Sequence, residues 1–381
     1  MTLIFWVCFC LVLYIYFGYP LLLAVSAGNK NVAREPLDNL PRVSILIAAY
    51  NEEKYIEATL INKVALIYPR DKFEIIVVSD GSTDKTDEIV ISVAEKVDIP
   101  VRLFRQQRKG KTAGLNLIQQ ESKGDIIVFS DANSIYDKNA LLKLVQNFSD
   151  CTVGYVTGKM VYVNQDGSLV GDGCSAYMKY ENWLRSKEST LGSVVGVDGG
   201  VDAMRNSLYE GLREDQLPDF VQPLKIVEKG FRVVYEPEAL LKEDSLSDAS
   251  GEYAMRVRVT LRALWALHDM RVLFNPLHFG FFSFQLLSHK LLRYLAFVPI
   301  CLVFISNIFL LGAHLAYILI FIGQVLFYGC AGLGMKLQKS KNRAAYLTVP
   351  YYFILLNMAC IQALWSYLKG EKKVIWRPRA G

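Results

Sequence analysis

The sequence predicts an α/β domain built on a mainly parallel sheet and flanked by transmembrane helices. Three observations carry this expectation. Residues 3–28 contain no Asp, Glu, Lys, Arg or His, residues 344–368 are equally empty, and residues 295–335 hold only His314. Between these stretches, residues 29–250 alternate short apolar runs with helix-like patterns, the pattern of buried strands joined by crossover helices. Asn51, Asp80 and Asp131 fall at the ends of such runs, where open α/β sheets bind ligands. At 381 residues the chain is long enough for two domains. Its 52 % apolar and 21 % charged composition excludes a disordered, collagen-like or disulfide-dense chain. A net charge of +5 with no basic block argues against a nucleic-acid partner.

Residues 1–28 read as a membrane anchor. As a helix at about 1.5 Å per residue the run exceeds a hydrocarbon core of about 30 Å. A cleaved signal peptide is the alternative, but no positive region precedes the run and no clear cleavage site closes it. Residues 294–335 read as a hairpin of two spans turning near 312–314, and residues 344–368 as a third C-terminal membrane segment. Lys30 and Arg34 follow the first span, and Lys336, Lys339, Lys341 and Arg343 precede the last. The positive-inside rule then gives a multi-pass protein of the cell membrane with its middle segment in the cytoplasm. The basic tail at 369–381, with Lys369, Lys372, Lys373, Arg377 and Arg379, opposes that parity. Either the tail is exported, or the last stretch re-enters or lies along the interface.

The middle elements follow in order. Strands are expected at 43–48, 73–78, 101–104, 126–129, 155–163 and 232–235. Helices are expected up to Leu66, at 86–96, at 175–187, and at 220–229 with Asp219 as the cap. The pair Gly199-Gly200 marks a tight turn or a close approach to a ligand. Residues 251–293 read as interfacial: a helix at 252–268 carries Arg256, Arg258 and Arg262, and 275–293 mixes aromatics with His278, His289, Lys290 and Arg293. The seven cysteines form no CxxC or Cys/His cluster, which argues against structural zinc.

Each chemical signal has a plainer reading beside it. Asp131-Ala132-Asn133 either binds a hard divalent cation, Mg²⁺ or Mn²⁺, or caps a helix. The run Asp80 to Asp84 is either a nucleoside contact or a capped turn. Lys109-Gly110-Lys111 either reaches a phosphate or is solvated, and Asp219 is either a general base or a cap. There is no GxGxxG and no GxxxxGK[ST], so dinucleotide and P-loop readings lack support.

Taken in order, the motifs are more specific: Tyr50-Asn51-Glu52, Asp80-Gly81-Ser82-Thr83-Asp84, Lys109-Gly110-Lys111 running on to Gly114-Leu115-Asn116, Asp131-Ala132-Asn133, Gly199-Gly200, and Asp219-Phe220-Val221. This set resembles the inverting family 2 glycosyltransferases of GT-A fold, in their membrane-bound bacterial form. The resemblance covers about residues 41–243 and implies a GT-A domain at 29–250. It implies that Tyr50, Asn51, Glu52 and Asp80 bind the nucleoside of a nucleotide-sugar, with a UDP-sugar as donor. Lys111 and Asp131 would lie at the diphosphate, and Asp131 with Asn133 would hold the metal. Gly199 and Gly200 would border a lipid-linked or saccharide acceptor, and Asp219 would be the catalytic base.

Three departures stand out. Asn133 replaces the usual second carboxylate, which implies weaker metal binding. Pro218 precedes Asp219 where the family has Glu. The interfacial Gln-x-x-Arg-Trp motif of processive members aligns with Met255 to Val259, so Arg258 alone survives as an acceptor contact. A snorkelling arginine is the plainer reading of Arg258. Single-sugar transfer is therefore expected, with a processive polysaccharide synthase and a non-catalytic nucleotide-binding scaffold as the rivals.

Overall fold

The computed structural model describes residues 1–28, 39–163, 169–244, 249–337 and 345–372. Lys30, Arg34, Lys339, Lys341, Arg343, Lys373, Arg377 and Arg379 lie outside them. The chain forms two compact units. A sheet unit is drawn from residues 39–161, 185–243 and 372, and a helical unit from residues 1–28, 162–163, 169–184, 244, 249–337 and 345–371.

The sheet unit begins with β1 (Val43–Ala49), α2 (Ile56–Val64), β2 (Phe73–Asp80), α3 (Thr86–Ala94) and β3 (Val101–Gln106), where α1 denotes the N-terminal helix described below. It continues through α4 (Lys111–Gln120), β4 (Ile126–Asp131), β5 (Ile135–Tyr136), α5 (Ala140–Gln146) and β6 (Val153–Val163). After α6 (Leu169–Leu191) come β7 (Val201–Arg205), α7 (Pro218–Glu228) and β8 (Arg232–Asp244). Every residue of β2 is buried, and all but one of β1. This explains their unbroken apolar runs, because helices cover both faces of a central parallel strand.

Among the described residues, eight strands lie in the order β3-β2-β1-β4-β7-β6-β8-β5. The expected parallel half is β3, β2, β1 and β4. The other half brings antiparallel pairs, β7 against β4, β6 against β7 and β5 against β8, so the sheet as a whole is mixed. Register positions the polar ends. Ala48 pairs with both Val78 and Asp131, Asp80 pairs with Gln106, and Ser130 pairs with Val201. Because β7 runs antiparallel to β4, its first residues and the glycines before them meet the last residues of β4.

The sequence reading lacked α4, α5, β5 and β7. It also placed Asp219 as a helix cap. In the structure Leu217 is the cap residue, Pro218 takes the first helical position, and Asp219 lies in the first turn with its carboxylate committed elsewhere. Pro218 is suited to that position because its missing N–H would have no partner there.

The helical unit contains α1 (Thr2–Ala27, with a widened turn at Tyr14–Gly18), α8 (Ala249–Asp269), α9 (Phe281–Tyr294), α10 (Phe297–Ile308), α11 (Leu315–Leu337) and α12 (Thr348–Leu368). Phe5 and Cys8 of α1 pack with Val303, Leu310 and Tyr317, and Val257 and Leu261 of α8 pack on Ala359 and Ala363 of α12. Among the described residues three helices, α1, α11 and α12, are long and apolar enough to cross a membrane. Of the two spans expected in 295–335, α11 qualifies. Helix α10 has 12 residues, about 18 Å, and qualifies only together with α9 across a 58° bend. Among the described residues this gives three candidate spans, or four when the bent pair counts as one, in which case α9–α10 and α11 are the two arms of the expected hairpin.

Candidate active site

Lys111 lies at the centre of the site, on the first residue of α4. Its Nζ donates to Asp131 Oδ1 at 2.8 Å and approaches both oxygens of Asp219 at 3.4 and 3.3 Å. Three motifs widely separated in sequence thus converge: the end of β4, the start of α4 and the first turn of α7. Burial opposes the charge on Lys111, but the two carboxylates outweigh it and raise its pKa above the ordinary lysine value. The ammonium therefore stays charged and binds the two acids together.

The two glycines close one side. Gly199 has φ +82°, and a Cβ there would lie 2.3 Å from Asp219 Cγ. No side chain fits between that backbone and Asp219. A Cβ at Gly200 would lie 3.5 Å from Asp131 Oδ2. Gly199 is therefore brought against Asp219 and Gly200 close to Asp131.

Asp80 occupies the end of β2 with 2 % exposure. Its Oδ1 accepts from Gln106 Nε2 (2.7 Å) and the Lys109 N–H (2.8 Å), and its Oδ2 accepts from Arg108 Nη1 (2.5 Å) and the Gly110 N–H (2.9 Å). Four donors fill the acceptor positions of one carboxylate. Asp80 thus organises the turn that delivers Lys111. The Arg108 guanidinium also lies 3.3 Å from the centroid of the Tyr50 ring, a cation–π contact. Asn51 has φ +53°; its Oδ1 accepts from the Thr83 N–H (2.8 Å) and its N–H donates to Ser82 Oγ (3.1 Å). Glu52 is buried, and its N–H donates to Thr86 Oγ1 at 2.8 Å. Tyr50, Asn51, Glu52 and Asp80 are therefore joined by the loops after β1, β2 and β3. Arg258 belongs to α8 of the helical unit and is half-buried.

Asn133 lies half-buried in the turn after Asp131. Among the described residues no group of three or more His, Cys, Asp or Glu is gathered for a metal ion. Asp131 and Asn133 offer hard oxygen donors, and the Asp131 side chain is 37 % exposed with one oxygen on Lys111. That donor set fits Mg²⁺ or Mn²⁺ of the kind that binds through one carboxylate together with substrate phosphates.

Sequence reasoning missed four contributors. Arg108 lay beside the residues singled out but was not weighed. Lys63 is fully buried on α2. Its Nζ donates to the Ser134 carbonyl (2.6 Å) and Asn62 Oδ1 (3.2 Å) and sits 3.5 Å from the Tyr136 ring centroid. Arg185 Nη1 donates to Asp198 Oδ2 at 2.6 Å, bracing the turn before Gly199. Asp202 stood in the glycine-containing run with no signal to mark it.

Residues 44–200 match the family model described as Glycosyl transferase family 2. The structure of the mannosyltransferase PcManGT from Pyrobaculum calidifontis, in complex with GDP-Man and Mn²⁺, matches with a TM-score of 0.70 at 24 % identity, over 95 % of this chain and 99 % of that one. The fold is that of the GT-A glycosyltransferases, and the protein is an enzyme of hexosyltransferase type. Among curated relatives, the probable glycosyltransferase YdaM of Bacillus subtilis (strain 168) is 28 % identical over 355 residues, covering 86 % of this chain and 82 % of the relative. The poly-beta-1,6-N-acetyl-D-glucosamine synthase of Staphylococcus aureus (strain COL) is 28 % identical over 249 residues, 64 % of this chain and 59 % of that protein. The likeness to glycosyl transferase family 2 is carried by residues 44–200, the part of the sheet unit that runs from β1 to the Gly199-Gly200 turn.

Proposed function

We propose that this protein is anchored in the cell membrane with its sheet unit in the cytoplasm. There it transfers a sugar from a nucleotide-sugar, a UDP-sugar, to a hydroxyl of a lipid-linked or saccharide acceptor with inversion at the anomeric carbon. The observation that carries this reading is the single ammonium of Lys111 held between Asp131 and Asp219 at the carboxyl end of the parallel strands.

In this reading Tyr50, Asn51 and Glu52 hold the nucleoside end, Asp80 shapes it through the turn its carboxylate organises, and Lys111 and Asp131 meet the diphosphate. Gly199 and Gly200 border the acceptor, and Arg258 is the acceptor contact that the resemblance implies. Asp219 accepts the proton of the acceptor hydroxyl as that oxygen bonds to the anomeric carbon and the nucleoside diphosphate departs. Lys111 offers its positive charge to the leaving diphosphate. A divalent cation at Asp131 and Asn133, Mg²⁺ or Mn²⁺, supplies further charge neutralisation there when bound.

The test uses the full chain in nanodiscs with a panel of UDP- and GDP-sugars, a membrane-lipid extract as acceptor, and Mn²⁺ or chelator. One donor should be consumed. Asp219→Asn should lower turnover by about 10²- to 10⁴-fold while nucleotide affinity is kept. Unchanged turnover in that variant removes Asp219 from the chemistry. A processive synthase is the second reading, favoured by the likeness to the Staphylococcus aureus synthase. Sizing the product separates the two, because chains longer than a few sugars require processivity.

A further inference from the structure

The site contains a second carboxyl that the motifs do not announce. Asp202, the second residue of β7, has no exposed surface. Its Oδ2 accepts two hydrogen bonds, one from the Gly199 N–H at 3.0 Å and one from the Tyr155 hydroxyl at 2.9 Å. Tyr155 is itself buried, on β6. Gly199 is the residue whose backbone lies against Asp219, with room for no Cβ. A rigid path therefore runs from Tyr155 through Asp202 and Gly199 to Asp219, within one sheet unit.

Burying a carboxyl beneath a turn is costly unless the turn needs it. Gly199 is in the left-handed region at φ +82° and precedes the first paired residue of β7, Val201. Asp202 supplies the acceptor that fixes the Gly199 N–H. On the other flank, Arg185 holds Asp198 at 2.6 Å and donates from Nε to the Gly196 carbonyl at 3.1 Å. The turn is thus pinned at both ends.

We propose that Asp202 is a positioning residue for the catalytic base, holding the Gly199 turn against Asp219 so that Asp219 faces the acceptor hydroxyl. The proposal rests on the reading of Asp219 as the base. Asp202 does not touch substrate and acts only through Gly199. It also places a second acid beside the base in a chain whose residue before Asp219 is Pro218.

The charge state of Asp202 gives the proposal a signature. Burial, with Asp219 and Asp198 nearby, raises its pKa to about 7 against the hydrogen bonds of Thr157 and Tyr155. The groups facing it are Tyr155 from β6, Asp198 from the preceding turn, Asp219 from α7 and Tyr136 from β5, with Lys111 reached through Asp219. Below pH 7 Asp202 is neutral. Above it, a carboxylate strengthens the hold on Gly199 and raises the basicity of Asp219. Turnover therefore steps upward through about pH 7.

Two variants of the full-length protein in nanodiscs test this. Asp202→Asn keeps an acceptor for Gly199 and removes the ionisation, so the step near pH 7 should vanish and the rate stay on the low-pH plateau. Asp202→Ala removes the acceptor. Its kcat on the best donor of the panel should fall between about ten- and a hundred-fold with little change in the donor KM. Amide exchange in the peptide spanning 196–201 should quicken at least ten-fold, with β1 and β2 unchanged. Unaltered exchange in that peptide overturns the anchoring, whatever the activity. Faster exchange with the wild-type kcat and wild-type pH profile overturns the link to Asp219. A wild-type protein that consumes no donor instead sinks the transferase reading, and exchange still decides the anchoring.

Discussion

At the scale of single residues, Asp202 makes a prediction about stability that is separate from activity. Its folded pKa of about 7 stands well above the ordinary aspartate value of 3.8. The folded protein therefore holds this proton more tightly than the unfolded chain, and stability falls as pH rises from about 4 to about 7. The cost above pH 7 is on the order of a few kcal/mol. Asp202→Asn removes it, so the variant should melt above wild type at pH 8 and close to it at pH 4. Melting curves at the two pH values check this, and a constant difference would contradict it. Gly199→Ala tests the neighbouring contact. An added Cβ 2.3 Å from Asp219 Cγ must displace the base, so kcat/KM should fall by about 10²-fold while nucleotide affinity is retained. Lys111, Asp131 and Asp219 were each legible in the sequence as members of a motif. That the Lys111 ammonium joins the two acids was not, because the contact depends on how β4, α4 and α7 are brought together. Asp202 was invisible for a related reason: one acid in a short strand has no local pattern, and its meaning comes from Tyr155 and Gly199.

At the scale of elements, α2 clamps the segment that follows Asp131. Thr59 Oγ1 donates to the Ala132 carbonyl (2.7 Å), Lys63 to that of Ser134 (2.6 Å) and Asn62 Nδ2 to that of Tyr136 (3.0 Å), while Asn62 Oδ1 accepts from the Tyr136 N–H (2.8 Å). Burial lowers the pKa of Lys63 well below that of an ordinary lysine, and the Asp131 carboxylate opposes the shift. Lys63→Met leaves the Ser134 carbonyl buried without its partner and should cost about 1–3 kcal/mol, read as a lower melting temperature. The same variant should weaken Mn²⁺ binding measured by titration, since the turn carrying Asn133 loses its anchor. Wild-type Mn²⁺ affinity would count against the clamp. The parallel half of the sheet was legible because fully buried strands give unbroken apolar runs. Strand β7 was hidden because it starts directly after two glycines and Asp202 breaks its apolar run at the second residue, and α4 because Lys109-Gly110-Lys111 reads as a polar loop.

At the scale of the whole molecule, composition showed where lipid-compatible segments lie but not how they are broken. Apolarity is continuous across residues 295–335 apart from His314, yet α10 ends at Ile308 and meets α9 at a 58° bend. Hydropathy sums over such breaks because it carries no information on backbone direction. Sidedness can be tested with a native thiol. Cys151 is exposed in the sheet unit, while Cys10 and Cys301, the other exposed thiols, lie on the apolar helices α1 and α10. A membrane-impermeant maleimide should label Cys151 in inverted membrane vesicles and leave it unlabelled in intact spheroplasts, with Cys151→Ser as the control. Labelling from outside the cell would reverse the proposed orientation.

The absence of a side chain at residue 199 also constrains heredity. Every single-nucleotide missense change of a glycine codon adds at least a Cβ. Here any Cβ meets the carboxyl of Asp219 at 2.3 Å on a backbone that L-residues rarely adopt. Stepwise drift at this codon has no tolerated neighbour. Divergence in what the enzyme accepts must therefore be written in other codons, and a saturation library selected for activity should return this position unchanged.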